Sequence, residues 1–392
     1  MDTVRVGIIG VGNMGSAHAV SIGEGHIKGL RLTAVADIDP ARRAWVSERF
    51  PAVHCFDSAD ALLESGEADA VIIATPHWFH PQLAVAAFEK GLHVLTEKPA
   101  GVEVSQVQRM ITAHREAGTV FGIMFNQRTN PLFQQARQLV QSGALGAPKR
   151  LVWIITNWYR NQAYYDSGAW RASWRGEGGG VLLNQAPHNL DLWQWIFGMP
   201  QRISAFCDVG KYHDIEVEDD ATIYAEYASG ARAAFITTTG EYPGTNRLEI
   251  SGDRGKLVLE DGTLKYWKLA SSEREFCFAA DSSAAPPPAV TYTETVQDQP
   301  EAAHRGILQN FADAILHGEA LLSPGEDGLN ELTISNAAYL SAWEGRPVEL
   351  PLDAAAFDAA MAQRVAASRY VPGGDCKEET DGSYKQRWSV RW

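Results

Sequence analysis

Apolar residues in the first third of the chain fall into short runs separated by amphipathic stretches. Continuous runs rich in Val, Ile and Leu are typical of parallel strands, because both faces of such strands are buried. The runs that fit this description lie at residues 4–10, 30–37, 70–74, 93–97 and 120–126. Helical spacing of apolar residues lies between them, at 14–22, 41–49, 58–64, 81–90 and 105–117. This alternation predicts a doubly wound α/β domain with a parallel sheet over residues 1–125.

The pattern changes after residue 126, where strand-like segments are joined by turns that contain glycine. These segments lie at 150–157, 202–208, 222–228, 232–239, 247–251 and 256–260. Helical spacing lies at 131–142 and returns at 303–316, 328–342 and 354–367, after an Ala-, Ser- and Pro-rich surface loop at 279–288. We therefore expect a second α/β domain over 126–370 with an open, mostly antiparallel sheet. The polar residues 371–392 are expected to form a tail that docks on the body or on a neighbouring subunit.

Composition and charge exclude several classes of function. The chain has 392 residues, of which 45% are hydrophobic, and its 34 Lys and Arg against 48 Asp and Glu give a net charge of -14. An acidic chain without a basic footprint is not expected to bind nucleic acid or an anionic membrane. The four cysteines are scattered without a CxxC pair, so we expect no disulfide framework and no metal site. The N-terminus resembles no signal peptide and no apolar run approaches the length of a membrane span, so the protein is predicted to be cytoplasmic.

A glycine motif follows the first predicted strand and opens the first predicted helix. Its sequence is Gly10-Val11-Gly12-Asn13-Met14-Gly15. In this context Gly10 allows a tight turn, Gly12 lets the backbone approach a pyrophosphate, and Gly15 lets the helix pack close to the sheet. Asp37 ends the next strand, where a carboxylate binds the adenosine ribose and repels a 2′-phosphate. These features predict a Rossmann domain that binds NAD, with NADP less favoured.

Further polar residues follow other strands of the predicted parallel sheet, at the edge where such sheets bind ligands. Thr75 and Pro76 are expected to line the cofactor groove, with His80 near its nicotinamide end. Glu97 ends the strand at 93–97, Lys98 follows it, and both are expected to bind the cofactor. Asn126 ends the strand at 120–126 and is expected to face the same cleft.

Two further segments carry a family resemblance. Thr96-Glu97-Lys98-Pro99 ends a strand, and Gly178-Gly179-Gly180 leads into Asn184-Gln185-Ala186-Pro187-His188-Asn189-Leu190-Asp191. Together with the glycine motif, these segments resemble the Gfo/Idh/MocA oxidoreductases, from residue 4 to about 342. The resemblance implies a nicotinamide-dependent enzyme for sugars, sugar acids, nucleotide sugars or cyclitols, with Lys98 and His188 around the reacting carbon. Asn184 stands where many members of the family carry an aspartate.

The chemistry of these residues suits oxidation of a secondary hydroxyl. Asn184, His188 and Asp191 are spaced to share one face of a helix. Because histidine titrates near neutral pH, His188 is predicted to be the base, while Lys98 stabilises the negative oxygen. Asn184 would position the hydroxyl, and Asp191 would orient the imidazole or bind a neighbouring hydroxyl.

The segment from 157 to 175 is rich in aromatic residues and arginine, which predicts a sugar subsite. Aromatic faces stack on sugar rings, and arginines grip carboxylates, sulfonates or phosphates through paired hydrogen bonds. The residues assigned to substrate here are Trp158, Tyr159, Arg160, Trp170, Arg171, Trp174 and Arg175, together with Arg128 after the strand at 120–126. They predict a carbohydrate substrate that carries an anion. A packed loop or an oligomer contact is the competing interpretation.

Three functions remain open from the sequence. The first is an NAD-dependent sugar or cyclitol dehydrogenase. The second is an NAD-dependent glycosidase that oxidises the sugar transiently, with a uronate or sulfosugar as an anionic substrate. The third is a non-catalytic NAD-binding regulator. An exposed sheet face leads us to expect a homodimer or homotetramer.

Overall fold

The computed structural model describes residues 2–168, 170–298 and 301–369. The predicted tail at 371–392 lies outside the described residues. Two sheets organise the described chain, a parallel one in the first third and a larger mixed one in the remainder. No helix within the described ranges is long and apolar enough to cross a membrane.

Six parallel strands form the first sheet. They are β1 (Val4–Ile9), β2 (Leu30–Ala36), β3 (His54–Phe56), β4 (Ala70–Ile73), β5 (His93–Thr96) and β6 (Phe121–Ile123). Their order is β3-β2-β1-β4-β5-β6, which is the arrangement of dinucleotide-binding folds and confirms the predicted doubly wound sheet. The sequence analysis does not predict β3, because this strand has three residues and none of them is fully buried.

Five helices connect these strands. They are α1 (Asn13–Gly23), α2 (Pro40–Arg49), α3 (Ala59–Glu64), α4 (His80–Glu89) and α5 (Val104–Ala117). Local sequence explains their starts: Asp39 caps α2 ahead of Pro40, and the Ser58 hydroxyl accepts the Ala61 N–H of α3. The strand order reverses between β1 and β4, so a crevice opens beyond their carboxyl ends.

Nine strands form the second sheet, which confirms the predicted open, mostly antiparallel architecture. They are β7 (Pro148–Ile155), β8 (Arg202–Val209), β9 (Glu218–Glu226), β10 (Arg232–Thr238), β11 (Asn246–Gly252), β12 (Gly255–Glu260), β13 (Thr263–Leu269), β14 (Val290–Val296) and β15 (Val348–Glu349). Their order is β14-β13-β12-β11-β7-β10-β9-β8-β15, and β7 pairs with β10 in parallel. The pattern of the sequence does not predict β13, β14 or β15.

Seven helices complete the described chain. They are α6 (Pro131–Gln141), α7 (Gln162–Asp166), α8 (Pro187–Phe197), α9 (Glu273–Ala279), α10 (Ala303–His317), α11 (Gly328–Glu344) and α12 (Ala354–Ala367). Helix α10 packs on the first sheet, where Ile307, Leu308 and Phe311 share a core with Val6 and Ile8. The chain therefore returns to the first domain, although α10 lies within the segment 126–370 predicted for the second.

Candidate functional site

The glycine motif forms a tight turn from β1 into α1. Gly10 has φ +88°, and a Cβ there would lie 2.7 Å from the Ala74 carbonyl oxygen. A Cβ on Gly15 would lie 1.9 Å from the Gly10 carbonyl oxygen, so α1 packs directly against the turn. A Cβ on Gly12, in contrast, would meet no atom within 4 Å. Asn13 and Met14 begin α1, whose first N–H groups point out of its N-terminus. This open turn at a helix N-terminus fits the pyrophosphate of a dinucleotide.

Asp37 lies beside this turn, directly after β2. Its Oδ2 accepts the Val11 N–H at 2.6 Å, and its Oδ1 accepts the Asp39 N–H at 2.8 Å. These bonds fix the carboxylate at the rim of the groove. Because a carboxylate offers about four acceptor positions, it retains capacity for ribose hydroxyls. Both the glycine turn and Asp37 therefore suit NAD.

The other predicted cofactor residues lie at the same edge of the sheet, with different roles. Thr75 and Pro76 follow β4, and the Thr75 hydroxyl is buried without a partner in the described chain. Asn126 begins the turn after β6, and its Oδ1 is likewise buried and unpartnered. His80 is fully buried between two loops, where Nδ1 lies 2.8 Å from the Pro99 oxygen and Nε2 lies 2.7 Å from the Thr75 oxygen. It holds these loops together rather than opening onto the groove.

Glu97 fixes the end of β5 through a buried contact with α1. Its Oε1 lies 2.7 Å from Nε2 of His18. Burial favours the neutral acid, but the hydrogen bond and charge of His18 outweigh it and lower the pKa of Glu97 to about 2. The carboxylate therefore stays ionised and holds the backbone from which Lys98 projects.

Lys98 reaches across from the first domain to the loop before α8. Its Nζ donates to the backbone oxygen of Asn184 at 2.7 Å. Burial lowers the pKa of Lys98, and the charges of Arg171 and Arg160 lower it further, while the carboxylates of Glu97 and Glu331 oppose this shift. An ammonium donates three hydrogen bonds, so two N–H groups remain for a ligand.

His188 lies in the first turn of α8, and its imidazole forms no hydrogen bond within the described residues. Its Nδ1 is buried and unpartnered. Burial, followed by the charge of Lys98, lowers the pKa of His188 well below its ordinary value. The imidazole is therefore neutral at pH 7, the form that accepts a proton. Helix α8 begins at Pro187, so Asn184 lies in the turn that precedes it rather than on the predicted helix face.

Asp191 and Arg128 form a buried ion pair below this site. Both side chains are about 1% exposed, and the guanidinium donates to the two carboxylate oxygens at 2.6 and 2.9 Å. Arg128 also donates to Asp327 at 2.7 Å. The carboxylate of Asp191 therefore holds Arg128, and it does not orient the imidazole of His188 as expected. Paired bonds to a guanidinium are stronger than a single bond to a neutral ring.

Part of the aromatic segment comes together beside Asn184. Arg171 lies over the rings of Tyr164 and Trp170, 4.5 Å from each centroid, and the ring of Trp170 contacts His77. Arg160 lies over Tyr164 and Trp158 at 5.1 and 5.7 Å. Stacking and burial hold these two guanidinium groups rigidly.

Other members of this segment lie elsewhere. Tyr159 is exposed and contacts Tyr242. Trp174 is buried against Tyr339 and Trp343 of α11. Arg175 donates to the Ser368 oxygen at 2.9 Å, beyond the end of α12. For Trp174 and Arg175 the packed-loop interpretation therefore describes the structure better than a substrate contact.

Two residues that the sequence analysis did not assign belong to the site. Tyr164 accepts a hydrogen bond from Arg171 at 2.8 Å, and Glu177 accepts one from the Asn184 side chain. Glu177 directly precedes the triple glycine, and Tyr164 lies among the aromatic residues. Their positions next to these segments could have indicated a role in the site. Neither residue belongs to a periodic pattern that would have predicted it.

Family models match both parts of the chain. The NAD-binding Rossmann fold of the oxidoreductase family matches residues 4–125, and the GFO/IDH/MocA C-terminal domain matches residues 133–258. The chain belongs to the Gfo/Idh/MocA family of oxidoreductases. As a member of this family it has an N-terminal domain of the NAD-binding type, which confirms the predicted cofactor.

Curated relatives and solved structures of Gfo/Idh/MocA proteins match most of the chain. Myo-inositol 2-dehydrogenase of Thermotoga maritima is 25% identical, covering 88% of this chain and 98% of the relative. Inositol 2-dehydrogenase of Rubrobacter xylanophilus is 26% identical, covering 88% and 93%. The structure of the WlbA dehydrogenase of Chromobacterium violaceum with NADH and UDP-GlcNAcA has a TM-score of 0.77 and 27% identity, covering 90% of this chain and 97% of that one.

Proposed function

We propose that this protein is an NAD-dependent oxidoreductase that acts on a secondary hydroxyl of a sugar, sugar acid or cyclitol. The observation that carries the proposal is the contact between Lys98 Nζ and the Asn184 backbone oxygen, which brings an ammonium from the first domain to the loop before α8. His188 follows Asn184 by four residues, in the first turn of α8, and burial together with the charge of Lys98 lowers the pKa of its imidazole. We infer that this amine and the neutral imidazole act on one substrate oxygen beyond the carboxyl ends of the parallel strands.

These two groups divide the proton chemistry of alcohol oxidation. Bound NAD supplies the hydride acceptor. His188 takes the hydroxyl proton, and a well-placed base of this kind contributes roughly 10²- to 10⁴-fold in rate. Lys98 donates a hydrogen bond to the same oxygen as it becomes negative. The side chain of Asn184 positions the hydroxyl but cannot relay its proton, because an amide does not titrate near neutral pH.

An anionic carbohydrate fits the charges around this oxygen. Arg160 and Arg171 are both buried beside Asn184, and both affect the pKa of Lys98. A substrate carboxylate would add to the carboxylates of Glu97, Glu177 and Glu331 in offsetting the repulsion among Lys98, Arg160 and Arg171. The relatives support the substrate class, since two are inositol dehydrogenases and WlbA binds a nucleotide sugar acid.

A turnover panel tests the proposal. Purified protein with NAD+ is offered myo-inositol, neutral hexoses and the matching uronates, and NADH absorbance is followed. We expect NADH with at least one of them and a higher kcat/KM for the uronate than for its neutral analogue. Release of an aglycone from a glycoside without net NADH would instead indicate the glycosidase. A panel without turnover would contradict an enzymatic role.

Substitutions of Lys98 and His188 test the roles proposed for these two residues in the active protein. Lys98→Met and His188→Ala should each lower kcat about tenfold or more while NADH affinity is unchanged. The exposed residues Lys90 and His26 provide matched controls, since Lys90→Met and His26→Ala remove the same groups away from the site. Near-normal turnover in both site variants would refute the assignment.

The proposal includes self-association through the second sheet. Phe206 and Tyr224 are exposed on neighbouring strands β8 and β9, at 76% and 43%. An exposed aromatic face on an open sheet is typical of a protein interface. Light scattering should give a dimer or tetramer, and Phe206→Glu should shift the protein towards the monomer.

A further inference from the structure

One phenol oxygen collects three hydrogen-bond donors beside the candidate site. Tyr164 Oη lies 2.8 Å from Nη1 of Arg171, 3.3 Å from Nδ2 of Asn184 and 3.0 Å from Nε2 of Gln185. The oxygen therefore joins the arginine proposed for the substrate anion to the amide proposed for the reacting hydroxyl.

Glu177 accepts hydrogen bonds from Asn184 and from the turn that follows Arg171. Its side chain is almost completely buried, Oε2 accepts the Ala172 N–H at 2.7 Å, and Oε1 accepts the Asn184 Nδ2. Ala172 has φ +62°, a left-handed conformation that is costly for alanine. The carboxylate thus holds the strained turn that follows Arg171 and, at the same time, the amide of Asn184.

These contacts determine which way the Asn184 amide points. Glu177 and Tyr164 both accept from its NH2 group, so the amide nitrogen is already bound to two protein acceptors. The backbone oxygen of Asn184 accepts from Lys98. No described residue donates to Oδ1, and Asn184 is partly exposed. An amide oxygen in this position is an acceptor for a substrate hydroxyl.

We propose that Glu177 is a positioning residue that fixes the Asn184 amide with Oδ1 facing the bound carbohydrate. This inference rests on the proposed function, because it names the group that orients the hydroxyl-binding side chain. Glu177 is too deeply buried to contact substrate, and it acts through Asn184.

A carboxylate–amide swap tests the pairing. In Glu177→Gln, the new side chain has one acceptor for two donors, so its own NH2 group faces either Ala172 N–H or Asn184. In Asn184→Asp, two carboxylates lie in contact. In the double variant Glu177→Gln/Asn184→Asp, the glutamine accepts from Ala172 and donates to the aspartate. The Tyr164 hydroxyl can also turn to donate to that aspartate.

We expect each single variant to lower kcat/KM on the active substrate by roughly tenfold or more, since each leaves buried polar groups mismatched. The double variant should recover to within about threefold of the wild type, with an oxygen again facing the hydroxyl. NADH affinity should be equal in all four proteins. Denaturant unfolding gives the stability of the same four proteins. It shows whether a loss of kcat/KM reflects a destabilised fold or a misplaced Asn184 amide.

The outcomes are distinguishable. Losses in kcat/KM that multiply in the double variant, or recovery of unfolding stability without recovery of kcat/KM, would overturn the positioning role alone. A wild-type protein that oxidises no member of the panel would overturn the proposed function and this inference with it. Recovery of kcat/KM in the double variant supports both.

Discussion

A substitution at Gly12 is expected to weaken cofactor binding without destabilising the fold. The Gly12 backbone has φ -71° and ψ -155°, at the edge of the extended region that alanine can adopt, and the added Cβ would meet no atom within 4 Å. Gly12→Ala should therefore leave the fold intact. A glycine-to-alanine change at a compatible position raises stability by about 0.4–1 kcal/mol, because the unfolded chain loses entropy. We expect an unchanged or slightly higher Tm.

The same methyl group should weaken dinucleotide binding. It occupies the space through which the backbone approaches the pyrophosphate. Overpacking a tight contact by one methyl group costs about 1–3 kcal/mol. At about 1.4 kcal/mol per factor of ten, this corresponds to roughly 5- to 150-fold weaker binding of NADH.

Two measurements check the reasoning, NADH fluorescence titration and thermal unfolding without nucleotide. Gly15→Ala is the matched control, because its Cβ would lie 1.9 Å from the Gly10 oxygen. It should lower Tm as well as NADH affinity, since α1 must move from β1. Wild-type NADH affinity in Gly12→Ala, or a clearly lower Tm, would refute the assignment of this open space to the pyrophosphate.

Three further predictions concern charge. Asp37→Asn should raise NADPH affinity relative to NADH in direct titrations, because a charge pair near 4 Å is worth about 1–4 kcal/mol; an unchanged ratio would contradict the role of the carboxylate. Arg128→Leu should lower the free energy of unfolding by about 3–5 kcal/mol in denaturant, because it leaves Asp191 buried without its partner. Burial opposes protonation of His213, but Asp219 and a backbone oxygen outweigh it and raise its pKa. The contribution of protonated His213 to folding stability is complete below the ordinary histidine pKa near 6.5 and is lost as the pH rises through the raised pKa. His213→Gln removes this group, so Tm should fall less steeply in the variant than in the wild type as the pH rises from about 6.5.

The first domain could be predicted from the sequence because its signals are local. Buried strands such as β4 contain only apolar residues, and the glycine motif marks the turn. The edge strand β14 escaped prediction because almost all of its residues are exposed and no apolar run marks it.

Within the site, short sequence motifs point to Lys98 and His188, whose roles stay predictions, but not to the side chains that contact the predicted residues. The pair of Arg128 with Asp191 joins positions 63 residues apart, which no periodic pattern reveals. Glu177 contacts Asn184 through irregular backbone, where side-chain direction follows no fixed period.

The parallel pairing of β7 with β10 has a consequence for how substrate preference changes in such proteins. Two antiparallel pairings, β10 with β9 and β9 with β8, give β8 the same direction as β7, so the chain must cross the sheet before β8 begins. Residues 156–201 form this connection, and they include Arg160, Arg171, Glu177, Asn184 and His188. The excursion leaves from the central strand β7 and returns at β8, beside the edge strand β15. Substitutions within this one continuous segment can therefore change the preferred carbohydrate without altering the glycine turn of the first domain or the second sheet.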